Sequence, residues 1–207
     1  MIISVRPPAG GRGSAWPLWV VVSVIGAMLG ALAAWRVRAL LTGPAPVLVV
    51  EAVRDLETIV SATIAAGAQW LLLRRYRLDV YWWVPATVTA SVLAVLVVIP
   101  YVLGLAIAPG GSISPGDNVI AGGAAVAAAG LLVGIAQALV LRTSAGNIAW
   151  AWTPATVVGA ALAGALTSAL SSQLIGLPGF ATLSLVPGVG ALLIAASQAP
   201  VLHRLLS

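Results

Sequence analysis

The chain has 207 residues, of which 61% are apolar and 7% charged, and its mean hydropathy is +1.10, far outside the range of water-soluble domains. Its basic residues are all arginine and lie scattered rather than gathered in one run, so the formal charge of +5 does not point to nucleic acid. With no cysteine, disulfides, thiol catalysis and cysteine metal sites are excluded.

A hydrocarbon layer about 30 Å thick takes roughly 20 helical residues to cross. Met1 to Ser14, carrying Arg6, Pro7, Pro8 and Arg12, reads as a polar cytoplasmic tail, and residues 15–207 as a single transmembrane domain of about six helices. The first span is Trp16 to Trp35. Arg6 and Arg12 before an apolar run, with Ala31-Leu32-Ala33 near its end, also fit a signal peptide; the length of the run favours a retained anchor. Pro46 to Leu73 reads as one long helix whose outer third carries Glu51, Arg54, Asp55 and Glu57, with the embedded part starting near Thr58. Glu51 with Arg54, and Arg54 with Glu57, are spaced to pair on one helix side. The remaining spans are Trp82 to Ile107, Val119 to Leu141, Trp152 to Ile175 and Phe180 to Leu202. Ala108 to Asn118 and Gly176 to Gly179 have the Gly, Pro and Ser content of turns. Pro100 and Pro187 fall inside spans, where a kink is expected.

Arginine placement sets the orientation. One end collects Arg6, Arg12, Arg74, Arg75, Arg77, Arg142 and Arg204, the other Arg36, Arg38 and Arg54, which puts both termini in the cytoplasm and the protein in the plasma membrane as a multi-pass chain. Trp16, Trp19, Trp70, Trp82, Trp83, Trp150 and Trp152 fall near the arginine-rich end. They are expected to form an interfacial belt rather than a ligand-stacking cage. Trp82, Trp83, Trp150 and Trp152, with Arg74, Arg142 and Arg204, are the expected interfacial anchors.

The chain also repeats itself. Gln69-Trp70-Leu71-Leu72-Leu73-Arg74 recurs as Gln137-Ala138-Leu139-Val140-Leu141-Arg142 and, with one residue inserted, as Gln198-Ala199-Pro200-Val201-Leu202-His203-Arg204. Trp82-Trp83-Val84-Pro85-Ala86-Thr87 matches Trp150-Ala151-Trp152-Thr153-Pro154-Ala155-Thr156, with Trp16-Pro17-Leu18-Trp19 as a looser copy. Three helical hairpins follow, at about 15–77, 78–145 and 146–207. Proline suits a first helical turn because its missing N–H would be unpaired there. Arginine suits the closing turn, where it faces the negative helix end and reaches the phosphates. Gln69, Gln137 and Gln198 sit inside the returning helices. A primary amide in apolar surroundings needs partners, so these three are expected to act as polar glue between helices, bonding across a threefold-like centre or to backbone carbonyls, rather than as ligand contacts. Gly26 with Gly30 and Gly130 with Gly134 provide close-packing faces.

At these residues the chain resembles a group of uncharacterised bacterial membrane proteins in which a Gln-Trp-Leu-x-Leu-Arg helix end precedes a Trp-Trp helix start, several times over. The resemblance implies architecture and no activity.

No constellation for catalysis stands out. His203 has no acidic or histidine neighbour in sequence with which to hold a metal or activate a nucleophile. Glu51, Asp55, Glu57, Asp79 and Asp117 all lie away from mid-membrane, which argues against proton or sodium coupling. Phosphate loops, Ser-x-x-Lys and Gly-x-Ser-x-Gly are absent, and Ser171 and Ser172 have no base nearby. The reading is a non-catalytic accessory or scaffold subunit of a larger membrane complex, with other membrane subunits and bound lipid as partners, no cofactor or metal, and no nucleic acid. The alternative is the small-molecule-binding membrane component of a transporter.

Overall fold

The computed structural model describes residues 15–41, 47–76, 78–106, 115–170 and 179–206, with their side chains except at 47–55, 106, 115 and 179–184. Within these the chain is helical: α1 (Ala15–Leu41), α2 (Val47–Arg75), α3 (Trp83–Leu93), a π-helical turn (Ala94–Val98), α4 (Ile99–Ala106), α5 (Pro115–Ala145), a 3-10 turn (Gly146–Ala151), α6 (Trp152–Leu170) and α7 (Gly179–Leu206). Five helical stretches are long and apolar enough to cross a membrane, and the one from Gly116 to Leu170 has 55 residues and contains both α5 and α6. The tail before Ala15, the Glu51–Arg54 pairing and the Gly176–Gly179 turn lie outside the described residues or side chains.

The helices close into a ring. Going round it, α1 packs on α2, α2 on α3, α3 and α4 on α5, α5 on α6, α6 on α7, and α7 back on α1. Small residues set the closest approaches. A methyl group on Gly26 would lie 3.0 Å from the Ala68 Cβ of α2, and one on Gly30 would lie 2.7 Å from the Ser61 carbonyl oxygen. Gly130 faces Ala160 of α6, Gly134 faces Thr153 and Thr156, Gly164 faces Gly122 and Val126 of α5, and Gly159 faces Ile194 of α7. In lipid, where apolar burial does not drive helices together, such backbone proximity recovers dispersion that side chains would otherwise block. Gly67 differs, since a Cβ there meets nothing within 4 Å. Gly67→Ala is therefore expected to stabilise the protein by about 0.5–1 kcal/mol through helix propensity and a less flexible unfolded chain, read as a higher midpoint in unfolding by SDS.

The two connectors at the arginine-bearing end lie side by side. The Asp79 N–H donates to Ser144 Oγ (2.9 Å), and the Thr143 hydroxyl donates to the Asp79 carbonyl (3.3 Å). Gly146, at φ 61°, provides the left-handed residue that turns α5 toward α6. At the opposite end Arg38 Nε, exposed, lies 3.8 Å from Oε1 of the half-buried Glu57, a long contact of small energetic weight.

Two local expectations shift. Ser114-Pro115-Gly116-Asp117 reads as a loop, yet α5 begins at Pro115, because proline is at home in a first turn. The kink expected at Pro100 is taken up just before it by the π-helical turn. There an extra residue in the helical turn accommodates the proline ring and its missing N–H. Pro187 and Pro200 both lie within the continuous helix α7.

Candidate functional site

The interior is layered along the ring axis, and each layer takes one residue type from three places in the chain. Trp19 of α1, Trp83 of α3 and Trp152 of α6 are fully buried. Their rings meet edge to face with centroids 5.3–6.1 Å apart and planes at 76–80°, the arrangement that the aromatic quadrupole favours. Leu73, Leu141 and Leu202 complete this plug and are equally buried. Each lies one helical turn beyond a glutamine, on the arginine side.

The glutamines form the next layer. Trp152 Nε1–H donates to Gln137 Oε1 (2.8 Å) while Gln137 Nε2–H donates to Thr87 Oγ1 (3.1 Å). In the same way Trp19 Nε1–H donates to Gln198 Oε1 (3.3 Å) and Gln198 Nε2–H to Thr156 Oγ1 (2.8 Å). Thr156 passes its own proton to the Trp152 carbonyl (2.9 Å). Gln69 Nε2–H donates to Ser23 Oγ (3.0 Å). Every hydroxyl partner follows a core tryptophan by four residues: Trp19 and Ser23, Trp83 and Thr87, Trp152 and Thr156. The set has one asymmetry. Trp83 Nε1, the counterpart of the indoles that donate to Gln137 and Gln198, is buried with no hydrogen-bond partner, as is Thr153 Oγ1.

Above the glutamines, away from the arginine end, a cavity of about 310 Å³ opens on the ring axis. Its floor carries Gln69, Gln137 and Gln198 with Ser23, Thr87 and Thr156, and its walls are alanine, glycine, valine and isoleucine from the surrounding helices, with Ser91 adding one more hydroxyl. Among the described residues no charged side chain lines it. The volume is at the small end of the roughly 300–1,000 Å³ typical of small-molecule sites.

The chain matches no family model, no curated protein and no solved structure.

The tryptophans expected at the lipid boundary divide. Trp82 (72% exposed), Trp16 and Trp150 face outward, and Trp70 lies under the Arg74 guanidinium at 5.2 Å. Trp19, Trp83 and Trp152 instead fill the centre, which corrects the placing of Trp83 and Trp152 as interfacial anchors. An indole is large and apolar but for one N–H, and a buried carboxamide supplies the acceptor that a headgroup would otherwise give. Arg74, Arg142, His203 and Arg204 are exposed at helix ends. Gln69, Gln137 and Gln198 come together at one level, bonded to hydroxyls and indoles rather than to each other or to backbone carbonyls. Setting Pro17 against Pro85 puts the looser copy one turn out of register, for Trp19 joins Trp83 and Trp152 in the buried triad. The sequence assigns no role to Ser23, Thr87 and Thr156, although its signal for one is a hydroxyl four residues after each core tryptophan. Among the described residues no three His, Asp or Glu side chains gather as a metal site would require.

Proposed function

We propose that this chain is a six-span membrane protein of three hairpins whose centre binds a small neutral molecule, and that it serves as the small-molecule-binding component of a transport system. The observation that carries this reading is the axial cavity above the Gln69, Gln137 and Gln198 floor. The carboxamides and hydroxyls that tie the helices together also form the floor of an apolar chamber, which close helix contacts alone do not require. The uncharged lining that the described residues provide fits a neutral ligand, since an ion against such walls would lack compensation.

The six spans rest on simple lengths. The 55-residue stretch is far longer than the roughly 20 residues of one crossing, and Gly146 with its 3-10 turn divides it at the point where Thr143 and Ser144 meet Asp79. The Trp, Ser/Thr and Gln series, taken once from each hairpin, supports triplication. The concentration of arginine at the plugged end puts that end in the cytoplasm, so the chamber faces the outer leaflet.

The test is to purify the whole chain in mild detergent and examine it by native mass spectrometry. The wild-type protein is expected to retain a small molecule that Ala129→Leu, which fills the cavity from its wall, does not, while both unfold at the same SDS concentration. Ligand-free protein in both cases, arriving with stoichiometric larger subunits, would instead favour the accessory-subunit reading.

A further inference from the structure

The connector from α2 to α3 lies between an apolar stretch that ends at Arg75 and one that begins at Trp83, which is the level at which headgroups meet a spanning helix. Its backbone is pinned on both flanks. The Leu78 N–H donates to the Leu73 carbonyl (3.4 Å) and the Trp83 N–H to the Val80 carbonyl (3.0 Å). The Asp79 N–H donates to Ser144 Oγ, and the Asp79 carbonyl accepts from the Thr143 and Ser144 hydroxyls. All of these bonds use the backbone of Asp79, so its carboxylate takes no part in holding the connector.

Along this connector runs a groove of about 190 Å³, lined by Trp70, Arg74, Leu78, Asp79, Val80 and Tyr81. A guanidinium and a carboxylate thus border one space. Arg74, in the last turn of α2, is exposed and rests on the Trp70 ring at 5.2 Å; Asp79 is exposed as well. The two side chains form no ion pair with each other, and no other described side chain forms one with either. Opposite charges that share a groove without meeting are complementary to a dipolar guest, its anion toward Arg74 and its cation toward Asp79.

We infer that this groove seats the headgroup of phosphatidylethanolamine, its phosphate on Arg74 and its ammonium on Asp79. A guanidinium offers paired N–H donors to phosphate oxygens, and a primary ammonium offers three N–H donors to a carboxylate. A choline headgroup has no N–H to give, and the Trp70 face on which a quaternary cation would settle already carries Arg74. A headgroup with a phosphate and no cation leaves Asp79 uncompensated beside it. The place argues for a lipid as the source: Trp70, Leu78, Val80 and Tyr81 give the groove apolar and aromatic walls at the ends of spanning helices, where the acyl chains of a bound lipid continue into the bilayer.

The full chain, stripped of lipid in mild detergent, is titrated in separate series with dioleoyl phosphatidylethanolamine, phosphatidylcholine and phosphatidylglycerol, and binding of the first lipid is read by native mass spectrometry. Phosphatidylethanolamine is expected to bind about two- to fivefold more tightly than either of the others, the range of one exposed ion pair. Asp79→Asn keeps the backbone bonds to Thr143 and Ser144, so it leaves the unfolding midpoint in SDS in place while abolishing the preference over phosphatidylglycerol. Arg74→Gln weakens phosphatidylethanolamine by a similar factor, whereas Arg75→Gln, exposed and outside the groove lining, leaves it unchanged. Equal affinity for the three lipids, or a preference that survives Asp79→Asn, overturns the inference. Equal weakening by Arg74→Gln and Arg75→Gln overturns it in favour of unspecific attraction to the arginine-rich end. Displacement of the bound lipid by equimolar glycerophosphoethanolamine assigns the groove to a soluble zwitterion and overturns it as well.

Discussion

Replacing Trp152 with alanine is expected to cost the folded protein about 4 kcal/mol, against about 0.5 kcal/mol or less for Trp82→Ala, although both residues stand at the start of a helix. Trp152 is fully buried, with the Trp19 ring 5.3 Å away and the Trp83 ring 5.9 Å away. Its removal takes out the largest kind of side chain from a place that cannot collapse, because three helices meet there. Large-to-small changes of this kind cost about 3–5 kcal/mol through lost contacts and the void they leave, and the Gln137 oxygen loses its donor as well. Trp82 is 72% exposed, and changes at such sites are nearly neutral. Steric trapping or SDS titration in bicelles measures both, and equal costs would show that the indole triad does not hold the bundle together.

Gln137→Leu is the second large effect, expected at about 2–3 kcal/mol. The leucine matches much of the volume but leaves the Trp152 N–H and the Thr87 hydroxyl facing an alkyl group where two bonds of 2.8 and 3.1 Å had been. Each buried group left without a partner costs about 1–3 kcal/mol. In membranes the unfolded reference finds partners of its own and trims this figure. A double-mutant cycle with Trp152→Phe isolates the indole–carboxamide link, with a coupling of about 1 kcal/mol expected. Gln69→Leu breaks one protein bond rather than two and should cost about half as much.

Much of the helical architecture was legible because it depends on apolar length, and Gln69, Gln137 and Gln198 were legible because a polar residue at the same offset before a Leu-Arg end is conspicuous. The tryptophans were not, for a physical reason: an indole near a helix end satisfies its ring and its N–H equally well at the headgroups or beside a buried amide. The sequence does not say which of the adjacent Trp82 and Trp83 turns inward. In α1, Pro17 fixed the alignment one turn from the residue that matters, Trp19. Ser23, Thr87 and Thr156 were hidden because hydroxyl residues are ordinary in membrane helices, where they commonly bond their own backbone. The cavity has no local signature at all; it arises where alanines far apart in sequence fail to reach the axis. The π-helical turn before Pro100 likewise follows from a conflict between the proline and its helix that resolves in three dimensions.

The stacked indoles and leucines have a final implication for traffic through the molecule. Three large rings and three branched side chains, all solvent-free, stopper the axis on the arginine side, so the chamber is a cul-de-sac rather than a conduit. On the proposed function, a guest leaves by the way it came unless the stopper itself parts. Because each indole is wedged between the other two, displacing one releases all three, and opening would be an all-or-none event rather than a gradual widening.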